Sequence, residues 1–268
     1  MLAEPPRRTQ PARLLEERVA DLPVLGADEC EAVRAKLESL RGLWIRRHPS
    51  APFYTLGASN YFDIAENPDL PYYRMAAQLN PVLMEHFGEL LRGVARTLAD
   101  HVRMPVGFTE RLAHPGFHIF EADDSFRTIR GLTHREWFRE RANPAFVASP
   151  IHCDTPHYVV DWGDDAPRVA LNRPISFTLA IAMPATGAGM YVWDLRMPET
   201  AGFDDAQLHE ALAGRRRILC RYRRGAMAVH DGMSYHQVAP MDDPKPGEMR
   251  ITLQGHGVPV GGVMRLFW

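Results

Sequence analysis

The feature that most restricts what this chain can become is the order of its patterns. Helical periodicity comes early, and from Phe117 onward strand signals dominate. Phe117 to Phe120, Ile175 to Met183, Met190 to Leu195, Arg217 to Arg223, Ala226 to His230 and Met249 to His256 read as strands, with one helix interrupting near Asp204 to Leu212. The loop Ala185 to Gly189 suits a hairpin connection. Upstream, Leu83, Phe87, Leu90, Leu91, Val94 and Leu98 make one apolar stripe, with Arg92, Arg96 and Asp100 off it. Asn80-Pro81 supplies a cap and a proline for the first helical position, so this helix is expected to begin there. Asp28 is expected to cap a helix running to about Leu40, with Cys30, Val33, Leu37 and Leu40 at helical spacing. Residues 43–63 suggest short strands and loops. Helices first and strands later predict an α+β domain with a β-sandwich or barrel core and supporting N-terminal helices.

Length and charge narrow the function. A chain of 268 residues with 46% hydrophobic side chains can bury a sizeable core. We expect a flexible tail over residues 1–12 and a single domain over 13–268. The formal net charge of -2 gives no general attraction to nucleic acid or an anionic membrane, so neither is expected as a partner. No apolar run is long enough to span a bilayer, and the N-terminus has charges and prolines where a signal peptide needs its apolar centre. The cysteines, Cys30, Cys153 and Cys220, are odd in number and include no C-x-x-C pair. That pattern fits a reducing cytoplasm rather than a disulfide framework, and it excludes a four-cysteine zinc site.

The chemistry is carried by three segments. His152-Cys153-Asp154 is an H-x-D triplet, and in an extended strand residues i and i+2 share a face, so an imidazole and a carboxylate can meet one cation. A third ligand must come from elsewhere, and the segment Val229 to Pro240 offers His230 and His236. Two histidines and one carboxylate on one face of a metal leave positions open for co-substrate and dioxygen, an arrangement suited to non-haem Fe(II). In Met249 to His256, Arg250, Thr252, Gln254 and His256 fall on one face while Ile251 and Leu253 fall on the other. Arg250 can hold a carboxylate bidentately and the Thr252 hydroxyl can add a bond.

The ordered set His152-x-Asp154, Gly232-x-x-x-His236-x-Val238-x-Pro240 and Arg250-x-Thr252 resembles the 2-oxoglutarate/Fe(II)-dependent dioxygenase superfamily over roughly residues 115–258. The resemblance implies a double-stranded β-helix of jelly-roll or cupin-like type. It implies Fe(II) with 2-oxoglutarate and O2 as co-substrates, and succinate and CO2 as co-products. It makes His152, Asp154 and His236 the metal and catalytic ligands, with Arg250 and Thr252 binding 2-oxoglutarate. His236 is preferred to His230 because Val238 and Pro240 follow it. The carboxylate of Asp154 favours hydroxylation or desaturation over halogenation, which needs a small residue there. The expected substrate is a small molecule, such as an amino acid or natural-product intermediate, oxidised at an unactivated C–H bond. A cupin-like metal enzyme without 2-oxoglutarate and a peptide or protein hydroxylase are the alternatives. A binding β-barrel with an accidental His/Asp set is the non-enzymatic one.

Several other residues have plainer readings beside a functional one. His118 and His157 suit either the cavity or a structural hydrogen bond. Residues 122–148 suit a lid or a surface excursion. Trp193 reads as core, and the basic run Arg215 to Arg217 with Arg221, Arg223 and Arg224 reads as an outward face.

Overall fold

The computed structural model describes residues 18–47, 52–64, 71–122, 151–239, 241 and 245–268. The expected N-terminal tail, the lid segment beyond Ala122, the short helix that the capping-box spacing of Thr133 and Glu136 predicts, and Pro240 lie outside the described residues.

Among the described residues, twelve strands alternate with helices. In chain order they are β1 (Ala20–Pro23), helix α1 (Ala27–Ser39), β2 (Ile45–Arg46), β3 (Phe53–Leu56), helix α2 (Asn60–Asp63) and helix α3 (Tyr72–Val102). Then come β4 (Val106–Phe108), β5 (Gly116–Glu121), β6 (Ile175–Ala182), β7 (Met190–Arg196) and helix α4 (Asp205–Gly214). The chain closes with β8 (Arg217–Cys220), β9 (Ala226–His230), β10 (Ser234–Val238), β11 (Met249–Val260) and β12 (Val263–Phe267).

One large sheet runs in the order β1-β9-β6-β11-β5-β3-β2, extended by β12 and β4 beyond β11, and a small sheet runs β10-β7-β8. All pairings are antiparallel except β12 with β4. From β6 to β11 the chain passes repeatedly between the two sheets. This is the double-stranded β-helix that the motif resemblance implies, and α1 and α3 support it. The N-terminal part also supplies β1 to β4 to the large sheet; β2 and β3 fall within the short strands expected over residues 43–63, whereas β1 and β4 have no counterpart in the sequence pattern.

Alternation explains why the large sheet has one apolar face and one polar face. Phe117, Ile119, Phe177, Leu179, Met227, Val229, Ile251 and Leu253 join Leu83, Phe87, Leu91, Val94 and Leu98 of α3 in the main core. Each fully buried aliphatic side chain there contributes about 1.5–3 kcal/mol. On the other face His118, Ser176, His230, Arg250, Thr252 and His256 are polar, and all but the half-buried His118 are buried. β11 pairs with both β5 and β6, so its polar face is central and cannot be an edge turned to water.

Several sequence expectations are corrected. α3 starts at Tyr72 rather than Asn80 and runs through Pro81. Its first turns bury Tyr72 and Ala76 in a second core cluster with Leu112, Val258 and Phe267, which outweighs the lost proline hydrogen bond. Asn80 instead bridges a loop, donating to Leu112 O at 2.9 Å and accepting from His114 N at 2.8 Å. α1 is capped by Gly26, whose amide donates to Glu29 Oε2 at 2.6 Å, and Asp28 sits in the first turn. The loop Ala185 to Gly189 is no hairpin, because β6 and β7 belong to different sheets. Positive φ at Gly187, Ala188 and Gly189 turns the chain across between them. The strand expected from Arg217 to Arg223 ends at Cys220, after which Arg221, Arg223 and Arg224 lie exposed. Arg223 pairs with Asp21 and Arg224 with Glu31, consistent with an outward basic face. Trp193 is core, buried with Leu195, Leu212 and Tyr235.

Candidate metal centre

The triplet is locked against β10 by backbone bonds. His152 and His236 exchange both amide bonds, at 3.0 and 2.9 Å, and Asp154 N donates to Gly232 O at 2.7 Å. The short bridge keeps His152 and Asp154 extended, so both side chains face one side, as their spacing predicts. Asp154 and His236 are buried, and one ligand atom from each of His152, Asp154 and His236 lies within 4.8 Å of the others. His152 Nε2 stands 3.5 Å from Asp154 Oδ1, and His236 Nε2 stands 3.3 Å from Asp154 Oδ2.

Hydrogen-bond direction separates the two distal histidines. His236 Nδ1 lies 2.8 Å from Ser234 O, and a carbonyl only accepts, so Nδ1 carries a proton. A neutral His236 then turns its Nε2 lone pair towards a carboxylate, a pairing that only a proton or a cation between them makes favourable. The donor set therefore fits a metal ion. His230 is arranged the opposite way. Gly232 N–H donates to its Nδ1 at 3.1 Å, which leaves the proton on Nε2 and no lone pair there for a cation. His230 Nε2 is also farther from Asp154, at 3.9 Å.

The ionisation of these groups follows from their surroundings. Burial pushes the Asp154 pKa up, but the facing His236 and hydrogen bonds from His152 and His236 carry it well below the usual carboxylate range. Burial lowers the pKa of His236, yet Asp154 more than compensates and raises it above the ordinary histidine value. His230 is lowered to about 3 by burial and by His236. His256 falls to about 4, chiefly by burial.

Arg250 lies on the same sheet face. It is buried, and among the described residues no carboxylate pairs with it and its Nε has no hydrogen-bond partner. The rings of Phe120 and Tyr222 lie 5.6 and 5.7 Å from its guanidinium carbon. Taking an unpaired charge out of water is costly, so such a site fits an anion that binds from outside the chain. Thr252 follows on the same face, buried, and its hydroxyl accepts from Gln254 Nε2 at 3.1 Å. The pairing of β11 with β6 slips between Ile251 and Thr252, a bulge of the kind that re-aims side chains beside sites. All five sequence-derived residues thus stand on the polar interior between the sheets.

His118 and His157 also border this interior, each with a buried Nε2 that has no partner among the described residues. Sequence reasoning gave no role to Tyr61 or Ser176. Tyr61 donates to Asp154 Oδ1 at 2.5 Å from a segment 93 residues away, and no local pattern marks it. His256 was placed on the correct face by strand alternation, without its partners.

No family model and no curated protein matches the chain. Solved structures do. A novel N-substituted L-amino acid dioxygenase from Burkholderia ambifaria AMMD, in complex with alpha-ketoglutarate, matches with a TM-score of 0.52 at 13% identity, over 94% of this chain and 86% of that one. The non-haem alpha-ketoglutarate-dependent epimerase SnoN from nogalamycin biosynthesis matches with a TM-score of 0.45 at 14% identity, over 94% and 88%. HygX from Streptomyces hygroscopicus, with nickel, 2-oxoglutarate and hygromycin B bound, matches with a TM-score of 0.41 at 12% identity, over 93% and 86%. The likeness to the first is one of fold.

Proposed function

We propose that this chain is an Fe(II)- and 2-oxoglutarate-dependent dioxygenase that oxidises an unactivated C–H bond of a small molecule, releasing succinate and CO2. One observation carries the reading: a His-Asp-His cluster, with Asp154 and His236 buried and His152 half-buried, shares the polar interior with a buried arginine that has no carboxylate partner among the described residues. A metal enzyme without 2-oxoglutarate has no use for that arginine.

In this reading His152, Asp154 and His236 hold the metal, and Arg250 with Thr252 grips the distal carboxylate of 2-oxoglutarate. Iron and 2-oxoglutarate supply O2 activation and the oxidising power. The chain's own residues bind, orient and exclude water. The backbone bridge between His152 and His236 fixes the spacing of two neighbouring ligands on the side of the small sheet. Ser234 O, accepting from His236 Nδ1, keeps the Nε2 lone pair turned inward. The rings of Phe120 and Tyr222 shield Arg250 from water and strengthen its hold on a carboxylate.

Hydroxylation is the favoured outcome, with an amino acid or natural-product intermediate as substrate. A dioxygenase of N-substituted L-amino acids having this fold makes amino acids the first class to test. Residues from 13 onward are read as one catalytic domain, since β1 and β12 both belong to the large sheet. The cytoplasm is the proposed compartment, on the three unbridged cysteines, and no helix among the described residues is long and apolar enough to cross a membrane.

The test is a succinate-release screen with Fe(II), 2-oxoglutarate and O2 against amino acids, N-substituted amino acids, short peptides and natural-product intermediates. Stimulated succinate release with one of them, lost in Asp154→Ala, is expected. Full turnover of 2-oxoglutarate by Asp154→Ala would overturn the assignment.

A further inference from the structure

Tyr61 enters the metal centre from α2, a helix of four residues. That short element is tightly fixed. Asp63 at its end forms a buried bidentate ion pair with Arg47, at 2.7 and 2.8 Å, and accepts from Ser59 N at 2.7 Å. Arg47 Nε also donates to Thr55 Oγ1 of β3 at 2.8 Å, which ties α2 to the large sheet. The fixed point at the end of this scaffold is the Tyr61 hydroxyl. Its ring lies edge-on to His152 and His256, with centroids 6.3 and 5.7 Å away.

The hydroxyl has two partners. It donates to Asp154 Oδ1 at 2.5 Å and lies 3.1 Å from His256 Nε2, and His256 Nδ1 in turn lies 3.0 Å from Ser176 Oγ. An ionised carboxylate only accepts, so the tyrosine proton points at Asp154 and its lone pair faces His256. His256 must then carry its proton on Nε2, which leaves Nδ1 to accept from Ser176. The bonds run in one direction, from Ser176 to His256 to Tyr61 to Asp154. Each donor in such a chain strengthens the next.

We propose that Tyr61 is a positioning residue that fixes how Asp154 meets the metal, with His256 and Ser176 holding it in place. With Oδ1 tied to Tyr61, the carboxylate is held against rotation and would present a fixed orientation to a metal ion. This inference rests on the metal reading above. Hydrogen-bond partners behind metal ligands commonly set affinity by about 10–100-fold.

The experiment uses the full chain, stripped of metal and titrated with Co(II), reading its dissociation constant and its visible absorption spectrum. Thermal melting checks the fold. Tyr61→Phe keeps the ring and removes the hydroxyl. It is expected to melt cooperatively, to bind Co(II) about tenfold or more weaker, and to show a shifted spectrum. Ser176→Ala, at the far end of the chain, is expected to shift the spectrum in the same sense by less. A Tyr61→Phe protein with wild-type affinity and spectrum overturns the inference while leaving the metal reading intact. If Tyr61→Phe loses its cooperative melt, Ser176→Ala decides, and an unchanged spectrum there overturns the inference. Wild-type protein that takes up no Co(II), or His236→Ala that binds it as wild type does, overturns the metal reading and this inference with it.

Discussion

Gly232 and Asp154 touch where a side chain would be crowded. Asp154 N donates to Gly232 O at 2.7 Å, and a Cβ on Gly232 would stand 3.3 Å from Asp154 Cβ and 3.0 Å from Ser176 Oγ. Gly232 also has φ +68°, a left-handed conformation that a side chain disfavours by about 1–2 kcal/mol. Gly232→Ala is therefore expected to lower stability by at least that much, measured by urea unfolding. It should also weaken Co(II) binding, because the crowding falls on the ligand and on the serine behind it. A variant with wild-type stability and affinity would show that this contact is slack.

The two distal histidines give a sharper test. His236→Gln is expected to lose stoichiometric Co(II) or Fe(II) binding, whereas His230→Gln should weaken it by about tenfold to a hundredfold at most, as for a group behind the ligands. Calorimetric titration of both variants decides, and the reverse order would exchange their roles. Metal uptake should also displace a proton from His236, whose pKa is raised. Affinity is therefore expected to fall with acidification from above pH 6.5, while Asp154, held well below its ordinary range, stays ionised.

Arg250 should separate metal binding from co-substrate binding. Arg250→Met is expected to leave Co(II) affinity near wild type and to raise the Kd or KM for 2-oxoglutarate by about two orders of magnitude, since truncating one partner of a buried charge pair costs about 2–5 kcal/mol. Without co-substrate, the same change removes a buried charge that has no carboxylate partner among the described residues, so the variant should unfold at higher urea than wild type. Normal 2-oxoglutarate turnover by this variant would favour the metal enzyme that does without it.

Acid should destabilise the metal-free protein through its buried imidazoles. His118 is lowered to about 3 by burial, then by Arg250 and Arg47, and His230 and His256 fall to about 3 and about 4, also led by burial. Unfolded, each binds a proton near pH 6.5, so below that pH the unfolded state holds more protons and stability falls as pH falls. The loss should run from about pH 6.5 to the folded values near 3–4, and His236, whose shift has the opposite sign, offsets part of it near neutrality. His118→Phe, placed among the rings of Phe53, Phe120 and Trp268, should flatten the slope of unfolding free energy against pH. An unchanged slope would mean that His118 does not titrate on unfolding in this range.

Local patterns determined a good part of this protein. The stripe on α3, the strands from Gly116 onward and the alternation along β11 follow from side-chain periodicity, which each element carries within itself. The spacing of His152 and Asp154, and of Arg250 and Thr252, placed each pair on one face for the same reason. Tertiary structure decided the rest. α3 begins at Tyr72 because its first turns are buried against residues distant in sequence, Leu112, Val258 and Phe267 among them, and the loop Ala185 to Gly189 crosses between sheets because β6 and β7 find different partners. His236 and His230 share one segment, and only the motif resemblance through Val238 and Pro240 favours His236 in the sequence. They differ because Ser234 O accepts from one ring and Gly232 N–H donates to the other. Tyr61 meets Asp154 only because α2 is pinned to the large sheet by the Arg47–Asp63 pair, and a hydrogen bond between positions so far apart in the chain leaves no trace in local pattern.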